Sequence, residues 1–144
     1  MLINKVAKMG VWVLDQDRAK TFYTETLGLE LRYDVSMGAE FEGCGEGFRW
    51  LTVGPANQPD MEIILADPRM GNDEETARQI RELVGKGVLG SGVMTTEDCR
   101  KAYEELSAKG VTFLSEPAER PYGIEAVFRD DSGNWFSLTQ PFGG

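Results

Sequence analysis

The residue types that usually perform acid–base or metal chemistry are scarce in this chain. Its 144 residues contain no histidine and only two cysteines, Cys44 and Cys99. A nucleophilic cysteine needs a base to form its thiolate, and imidazole is the usual one. The sequence therefore does not favour a catalytic cysteine. The two cysteines are also far apart along the chain, and we expect no structural disulfide in a reducing compartment.

Three tryptophans are the most prominent candidates for a binding surface: Trp12, Trp50 and Trp135. Each lies in a segment whose apolar residues alternate as in a strand. Indole rings stack on flat ligands, but they also fill cores and dimer interfaces, so both interpretations are open. The glycine-rich segment 38–47 lacks the spacing and the lysine of a phosphate-binding loop. We expect it, together with Tyr122, to form the rim of a site.

The elements that must position these residues repeat along the chain. Residues 10–28 predict a strand, an acidic cap, a helix and a glycine stop, and residues 92–110 predict the same order. Further strands follow in each half. We therefore predict an α+β fold in which two βαβββ modules, at about 4–67 and 88–140, form a curved mixed sheet around a cleft. A charged helix over 72–85, ending at Gly85, links the modules.

Length and charge restrict the classes of partner. A chain of this length fits a single domain, 1–144. The formal net charge is −9, and the basic residues are interspersed, which excludes a nucleic-acid partner. No apolar run approaches the roughly 20 residues needed to cross a bilayer, and the N-terminus lacks a signal-peptide core. We expect a cytoplasmic protein without membrane association.

With these segments in place, the chain resembles the vicinal oxygen chelate superfamily, which includes glyoxalase I, extradiol dioxygenases and bleomycin-resistance proteins. The resemblance covers nearly the whole chain. It depends on Val-Leu-Asp at 13–15, Phe-Tyr at 22–23 and Leu-Gly-Leu at 27–29, and on the hairpin segment 128–135 near the end. The last of these contains Asp-Asp-Ser-Gly-Asn at 130–134, which is the more specific motif.

The resemblance implies where a metal would bind. Metal-dependent members take ligands, usually His or Glu, from the first and last strand of each module, and counting from the helix caps places these positions at Lys8, Glu62, Ser91 and Ser137. Only one of the four is a usual ligand, whereas a divalent metal needs three or four converging donors. We expect no metal and no other cofactor. Lys8 and Glu62 could instead form an ion pair.

Strand alternation identifies the other side chains of the cleft, because residues of equal parity share one face of a sheet. Trp12 shares the face of Lys8, and Ile64 that of Glu62. Val93 shares the face of Ser91, and Trp135 that of Ser137. On the central strand, Phe48 and Trp50 lie opposite the face that packs on a helix. The predicted site is thus an aromatic wall with a few hydroxyl groups: Lys8, Trp12, Phe48, Trp50, Glu62, Ile64, Ser91, Val93, Tyr122, Trp135 and Ser137.

Three functions are compatible with this site. The first is a non-catalytic protein that sequesters a bulky aromatic drug or natural product and so confers antibiotic resistance, as the bleomycin-resistance branch does. The second is an enzyme that uses Glu62 as a base or metal ligand, and the third is a structural dimer without a ligand. The first needs affinity but no chemistry, and it fits best. The resemblance also implies a homodimer, since exposed sheet edges need cover.

Overall fold

The computed structural model describes residues 1–37 and 48–143. The first module consists of β1 (Lys8–Trp12), α1 (Gln16–Thr21, continuing as a π-helical turn over Phe22–Thr26), β2 (Glu30–Met37), β3 (Phe48–Gly54) and β4 (Glu62–Ala66). The linker helix α2 (Glu74–Lys86) follows. The second module consists of β5 (Gly90–Thr95), α3 (Cys99–Ala108), β6 (Phe113–Arg120), β7 (Gly123–Arg129) and β8 (Trp135–Pro141).

Each module forms a four-stranded mixed sheet with the same topology. The strand orders are β1-β4-β3-β2 and β5-β8-β7-β6. The first and last strands of each module pair in parallel, and the other pairs are antiparallel. The α+β class and the two βαβββ modules predicted from the sequence are confirmed.

Acidic caps start the helices where the sequence places them. Asp15 accepts a hydrogen bond from the Arg18 amide at 3.0 Å, and Asp98 accepts one from the Lys101 amide at the same distance. These bonds satisfy amides that the first helical turn leaves free. The predicted end of α2 at Gly85 is wrong, because the helix continues to Lys86 and stops at Gly87, whose φ of 74° is left-handed. Either glycine could stop a helix by sequence, and only Gly87 adopts the required conformation.

One face of each sheet packs against its helices and forms the core. The inward residues are Val11 on β1, Val13 just after it, and Leu51 and Val53 on β3. On β7 and β8 they are Ala126, Phe128, Phe136 and Leu138. Helix α1 contacts β3 and β4, and α3 contacts β6, β7 and β8. The alternate residues of these strands therefore point away from the helices.

The turn between β7 and β8 joins the two modules. Asp130 accepts hydrogen bonds from the Tyr23 hydroxyl at 2.6 Å and from the Asn134 amide group at 3.0 Å. Its other oxygen accepts from the backbone amides of residues 132–134. Asn134 also donates to the Trp12 carbonyl, and the Leu14 amide donates to the Ser132 hydroxyl. We call Tyr23, Asp130, Ser132 and Asn134 the inter-module latch. Burial, and then the charge of Asp130, raise the pKa of Tyr23, so its hydroxyl remains a donor at neutral pH.

Asp131, beside the latch, makes a pH-dependent contribution to stability. Its side chain is 12% exposed, and its nearest cation, Arg18 Nε, lies 4.0 Å away. Burial, and then the charge of Asp130, raise its pKa from 3.8 to about 6. The folded state therefore holds the proton more tightly than the unfolded state. The stability that this proton confers is complete below about pH 4 and is lost as the pH rises through 6.

Asp131→Asn is accordingly expected to stabilise the protein at pH 7 by about 1–3 kcal/mol, because it removes a buried charge that lacks a close partner. The two proteins should be equally stable near pH 4. Urea denaturation at both pH values measures the difference, with Asp60→Asn in an exposed turn as the control. Equal stability at pH 7 would contradict this account of Asp131.

Candidate ligand-binding site

The first sheet presents an aromatic face on the side opposite α1. The register pairs Gly10 with Ile64 and Trp12 with Ala66, and it pairs Thr52 of β3 with Ile64. Phe48 and Trp50 share the parity of Thr52, and their ring centroids lie 6.4 Å apart. The structure therefore brings Trp12, Phe48, Trp50 and Ile64 to one face, as strand alternation predicts.

Strand β2 adds two residues that the sequence analysis did not assign to this face. Val35 pairs with Trp50 and Tyr33 with Thr52. Tyr33 is 54% exposed and Val35 is 43% exposed. Their alternation with Arg32 and Asp34 was a sequence signal for this face. Asp34 lies on the helix side, where hydrogen bonds from Arg49 and Lys20 lower its pKa.

An ion pair between Lys8 and Glu62 lies at one end of the first sheet's aromatic face. Lys8 Nζ lies 3.7 Å from Glu62 Oε2, which is the ion pair considered from the sequence. The Thr52 hydroxyl donates to Glu62 Oε1 at 2.7 Å. Both carboxylate oxygens of Glu62 thus have a partner within the chain, so the group is held in place.

The second sheet presents Trp135 and Val93 on the face opposite α3. The register pairs Val93 with Ser137 and Gly90 with Trp135. Trp135 is 37% exposed and Val93 is 67% exposed. A methyl group on Gly90 would overlap the Trp135 ring, so the indole lies directly against the β5 backbone. Ser91 is the extra residue of a bulge between Gly90 and Gly92, which removes it from the regular ladder.

A second carboxylate, Glu125 on β7, lies on this face and was missed by the sequence analysis. Glu125 pairs with Thr139, and Ser137 lies two residues before Thr139 on β8, on the same face of the sheet. The hydroxyl groups of Ser137 and Tyr122 both donate to the Glu125 carboxylate. Ser137 is buried, so it acts on the face through Glu125 rather than directly. The apolar alternation of Ile124, Ala126 and Phe128 was the sequence signal that Glu125 points the other way.

The residues at the expected metal positions do not fit a divalent metal. With the helix caps aligned, Glu62 corresponds to Trp135 and Ile64 to Ser137. The fourth metal-ligand position, which we expected at Ser137, is therefore occupied by Trp135. The two strand registers, which a count along the sequence does not contain, determine this correspondence. The four positions are thus occupied by a carboxylate (Glu62), an ammonium group (Lys8), a hydroxyl group (Ser91) and an indole (Trp135). Within residues 1–37 and 48–143, no three His, Cys, Asp or Glu side chains form a potential metal-binding group.

The remaining candidates lie away from these faces. Cys99 is fully buried and its thiol lies 3.4 Å from the Leu138 carbonyl; burial raises its pKa, which opposes a nucleophilic role. Cys44 and the predicted rim segment 38–47 lie outside the described residues.

An open depression of about 390 Å³ lies beside α1, and its lining contains none of the predicted site residues. Across the described ranges, no helix has the length and apolar character needed to cross a membrane.

Comparisons with known proteins bear on the family and the fold. The model of the Glyoxalase/Bleomycin resistance protein/Dioxygenase superfamily matches residues 3–138. The uncharacterized protein YurT of Bacillus subtilis (strain 168) is 34% identical over 94% of this chain and 98% of its own. The crystal structure of UcmS2 is 48% identical, with a TM-score of 0.86 over 96% of this chain and 98% of that one.

A third similar protein has a stated binding role. TnmS3, an antibiotic binding protein from Streptomyces sp. CB03234, is 31% identical, with a TM-score of 0.73 over 98% of each chain. The repeated modules, the shared registers and the match over residues 3–138 give one conclusion. The chain belongs to the glyoxalase/bleomycin resistance protein/dioxygenase superfamily.

Proposed function

We propose that this protein binds and sequesters a large, flat aromatic drug or natural product without transforming it, and thereby protects a cell against it. One observation carries the proposal. Trp12, Trp50 and Trp135 occupy sheet faces opposite the helices, while the positions expected for metal ligands hold residues unsuited to a divalent metal. Trp135 is exposed and the other two indoles are half-buried, and indoles held on rigid strands supply stacking area at little entropic cost.

The similar proteins support a binding role. TnmS3 is an antibiotic binding protein and matches this chain over nearly its full length. The superfamily also contains enzymes, so the argument against catalysis comes from the site. Neither a metal-binding group nor an exposed thiol is found among the described residues, and sequestration needs neither.

The test is a titration of the metal-stripped protein with polycyclic and glycopeptide antibiotics, followed by intrinsic tryptophan fluorescence, with divalent metals added in a parallel arm. Tight quenching by one class of compound, independent of metal and with the compound recovered unaltered, supports sequestration. Chemical conversion of the compound, or stoichiometric metal uptake with no quenching, would restore the enzyme hypothesis.

The alternative is an enzyme that uses Glu62 as a base, with Lys8 as an electrostatic stabiliser. The favouring observation is their 3.7 Å separation on the aromatic face. Glu62→Gln separates the two functions. For a sequestering protein we expect ligand affinity to change by no more than about twofold, because stacking supplies most of it and a partly exposed ion pair contributes little.

For an enzyme, Glu62→Gln would abolish turnover of the bound compound. Product formation by mass spectrometry and affinity by fluorescence measure the two effects in one sample. Glu25→Gln, an exposed position on the helical side of the module, is the control for loss of one negative charge. A loss of affinity of tenfold or more in Glu62→Gln alone would contradict the minor role assigned to Glu62.

We further propose a homodimer in which a second chain covers part of these open faces. Leu2, Ile3 and Val6 are largely exposed near the N-terminus, and β1, β2, β5 and β6 are edge strands. Both features are unfavourable for an isolated chain in water. The hydrogen bonds of the inter-module latch favour a single domain. Analytical ultracentrifugation tests the dimer; a monomer across micromolar concentrations would exclude it.

A further inference from the structure

Glu125 occupies a distinctive place on the second sheet. On β7 it lies between Ala118 of β6 and Thr139 of β8. Its neighbours Ile124 and Ala126 point into the core, so Glu125 points to the face that carries Trp135 and Val93. With the helix caps and registers aligned, its counterpart in the first module is Trp50. One module thus places a carboxylate where the other places an indole.

The carboxylate is oriented by donors on two sides. From the sheet, the buried Ser137 hydroxyl donates to Oε2 and is itself 2.7 Å from the Thr139 hydroxyl. From the β6–β7 turn, the Tyr122 hydroxyl donates to Oε1 at 2.7 Å. Arg120 Nε lies 4.0 Å away, beyond hydrogen-bonding distance. These contacts lower the pKa of Glu125, so it is an acceptor without a proton at neutral pH.

Acceptor capacity remains after these contacts. An ionised carboxylate accepts about four hydrogen bonds, and side chains of this chain supply two. The Glu125 side chain is 18% exposed, so part of it is accessible from the open face. A partly desolvated carboxylate costs free energy unless its remaining lone pairs find donors.

We propose that Glu125 is a ligand-recognition residue whose carboxylate accepts a hydrogen bond from a hydroxyl or ammonium group on the edge of the aromatic ligand. Tyr122 and Ser137 are positioning residues that hold the carboxylate. The inference deepens the proposed binding function and depends on it. It specifies a ligand with a flat apolar body and at least one donor at its periphery, and it excludes an all-hydrocarbon or acceptor-only ligand as the preferred one.

The test uses three probes that share one flat four-ring body: 1-hydroxypyrene, 1-pyrenemethylamine and 1-methoxypyrene. Their binding is followed by energy transfer from tryptophan. We expect Glu125→Gln to weaken binding of the hydroxyl and amine probes by about tenfold, as for loss of a charge-assisted hydrogen bond, and to leave 1-methoxypyrene unchanged. A larger loss for the amine than for the hydroxyl identifies an ammonium as the preferred donor, and the reverse order identifies a hydroxyl. Glu119→Gln, on β6 and facing the other way, is the control and should affect no probe.

A second variant keeps the test decisive if Glu125→Gln folds poorly. Tyr122→Phe removes one of the two positioning donors and frees Oε1, while Ser137 still holds Oε2. The two donor probes should therefore bind more tightly, and 1-methoxypyrene should be unaffected. Weakening of all three probes in either variant, no weakening of the donor probes in Glu125→Gln, or no gain for them in Tyr122→Phe overturns the role of Glu125 while leaving the binding function standing. If the unmodified protein binds none of the three probes, the proposed binding function fails, and the inference fails with it.

Discussion

Asp130→Ala is expected to destabilise the protein by roughly 3–5 kcal/mol, because one carboxylate accepts from Tyr23, Asn134 and three backbone amides. Removing it leaves the buried Tyr23 hydroxyl and the amides of the turn without their acceptor. The loss exceeds that of any single donor, since Tyr23→Phe should cost only about 1–2 kcal/mol. Urea denaturation followed by circular dichroism measures both.

The same experiment tests whether the modules fold as a single domain. If the modules share one core and fold as a single domain, both the parent and Asp130→Ala unfold in one transition, the variant at lower urea. Two separate transitions would show that each module folds alone. Asp60→Ala, in the exposed turn before β4, is the matched control. An Asp130→Ala variant as stable as the parent would contradict the latch.

Replacing Trp12, Trp50 or Trp135 by alanine is expected to weaken ligand binding by about 1–3 kcal/mol for each stacking partner lost. This corresponds to about 5–150-fold in Kd at 25 °C. The variants should remain folded, because none of the three belongs to the buried core. Competition against a fluorescent ligand measures the affinity, since each variant loses part of its intrinsic signal.

Gly90→Ala provides a matched variant for Trp135. The added methyl group would overlap the indole and displace it, although the tryptophan itself remains. We expect a loss of affinity comparable to that of Trp135→Ala. Gly85→Ala, in helix α2 where an added methyl group meets nothing, is the control. Loss of folded structure in the three alanine variants would show that the tryptophans are structural, and normal binding by folded variants would contradict their stacking role.

The fold and the strand faces follow from the sequence because they depend on local rules. Asp15 and Asp98 cap helices by contacts within four residues, and alternation places Trp12 and Ile64 on one face without knowledge of the partner strand. The choice between Gly85 and Gly87 depends on a backbone angle, and local sequence permits both.

The features that were missed depend on contacts between distant segments. The bulge at Ser91 and the correspondence of Glu62 with Trp135 arise from the strand registers, which a count along one strand does not contain. The turn at 130–134 was identified as a motif, but its role requires Tyr23, which lies 107 residues earlier. Glu125 becomes a candidate only when Tyr122 and Ser137 are placed beside it.

The exchange of tryptophan and glutamate between the modules has a consequence for ligand shape. Trp50 of the first module corresponds to Glu125 of the second, and Glu62 corresponds to Trp135. The backbone repeats, but each module has an indole where the other has a carboxylate. A compound that contacted both faces would therefore meet unlike groups at corresponding points of the two modules. For the binding function proposed, we expect such a compound to bind best when its two ends differ in polarity, and to bind in a single orientation.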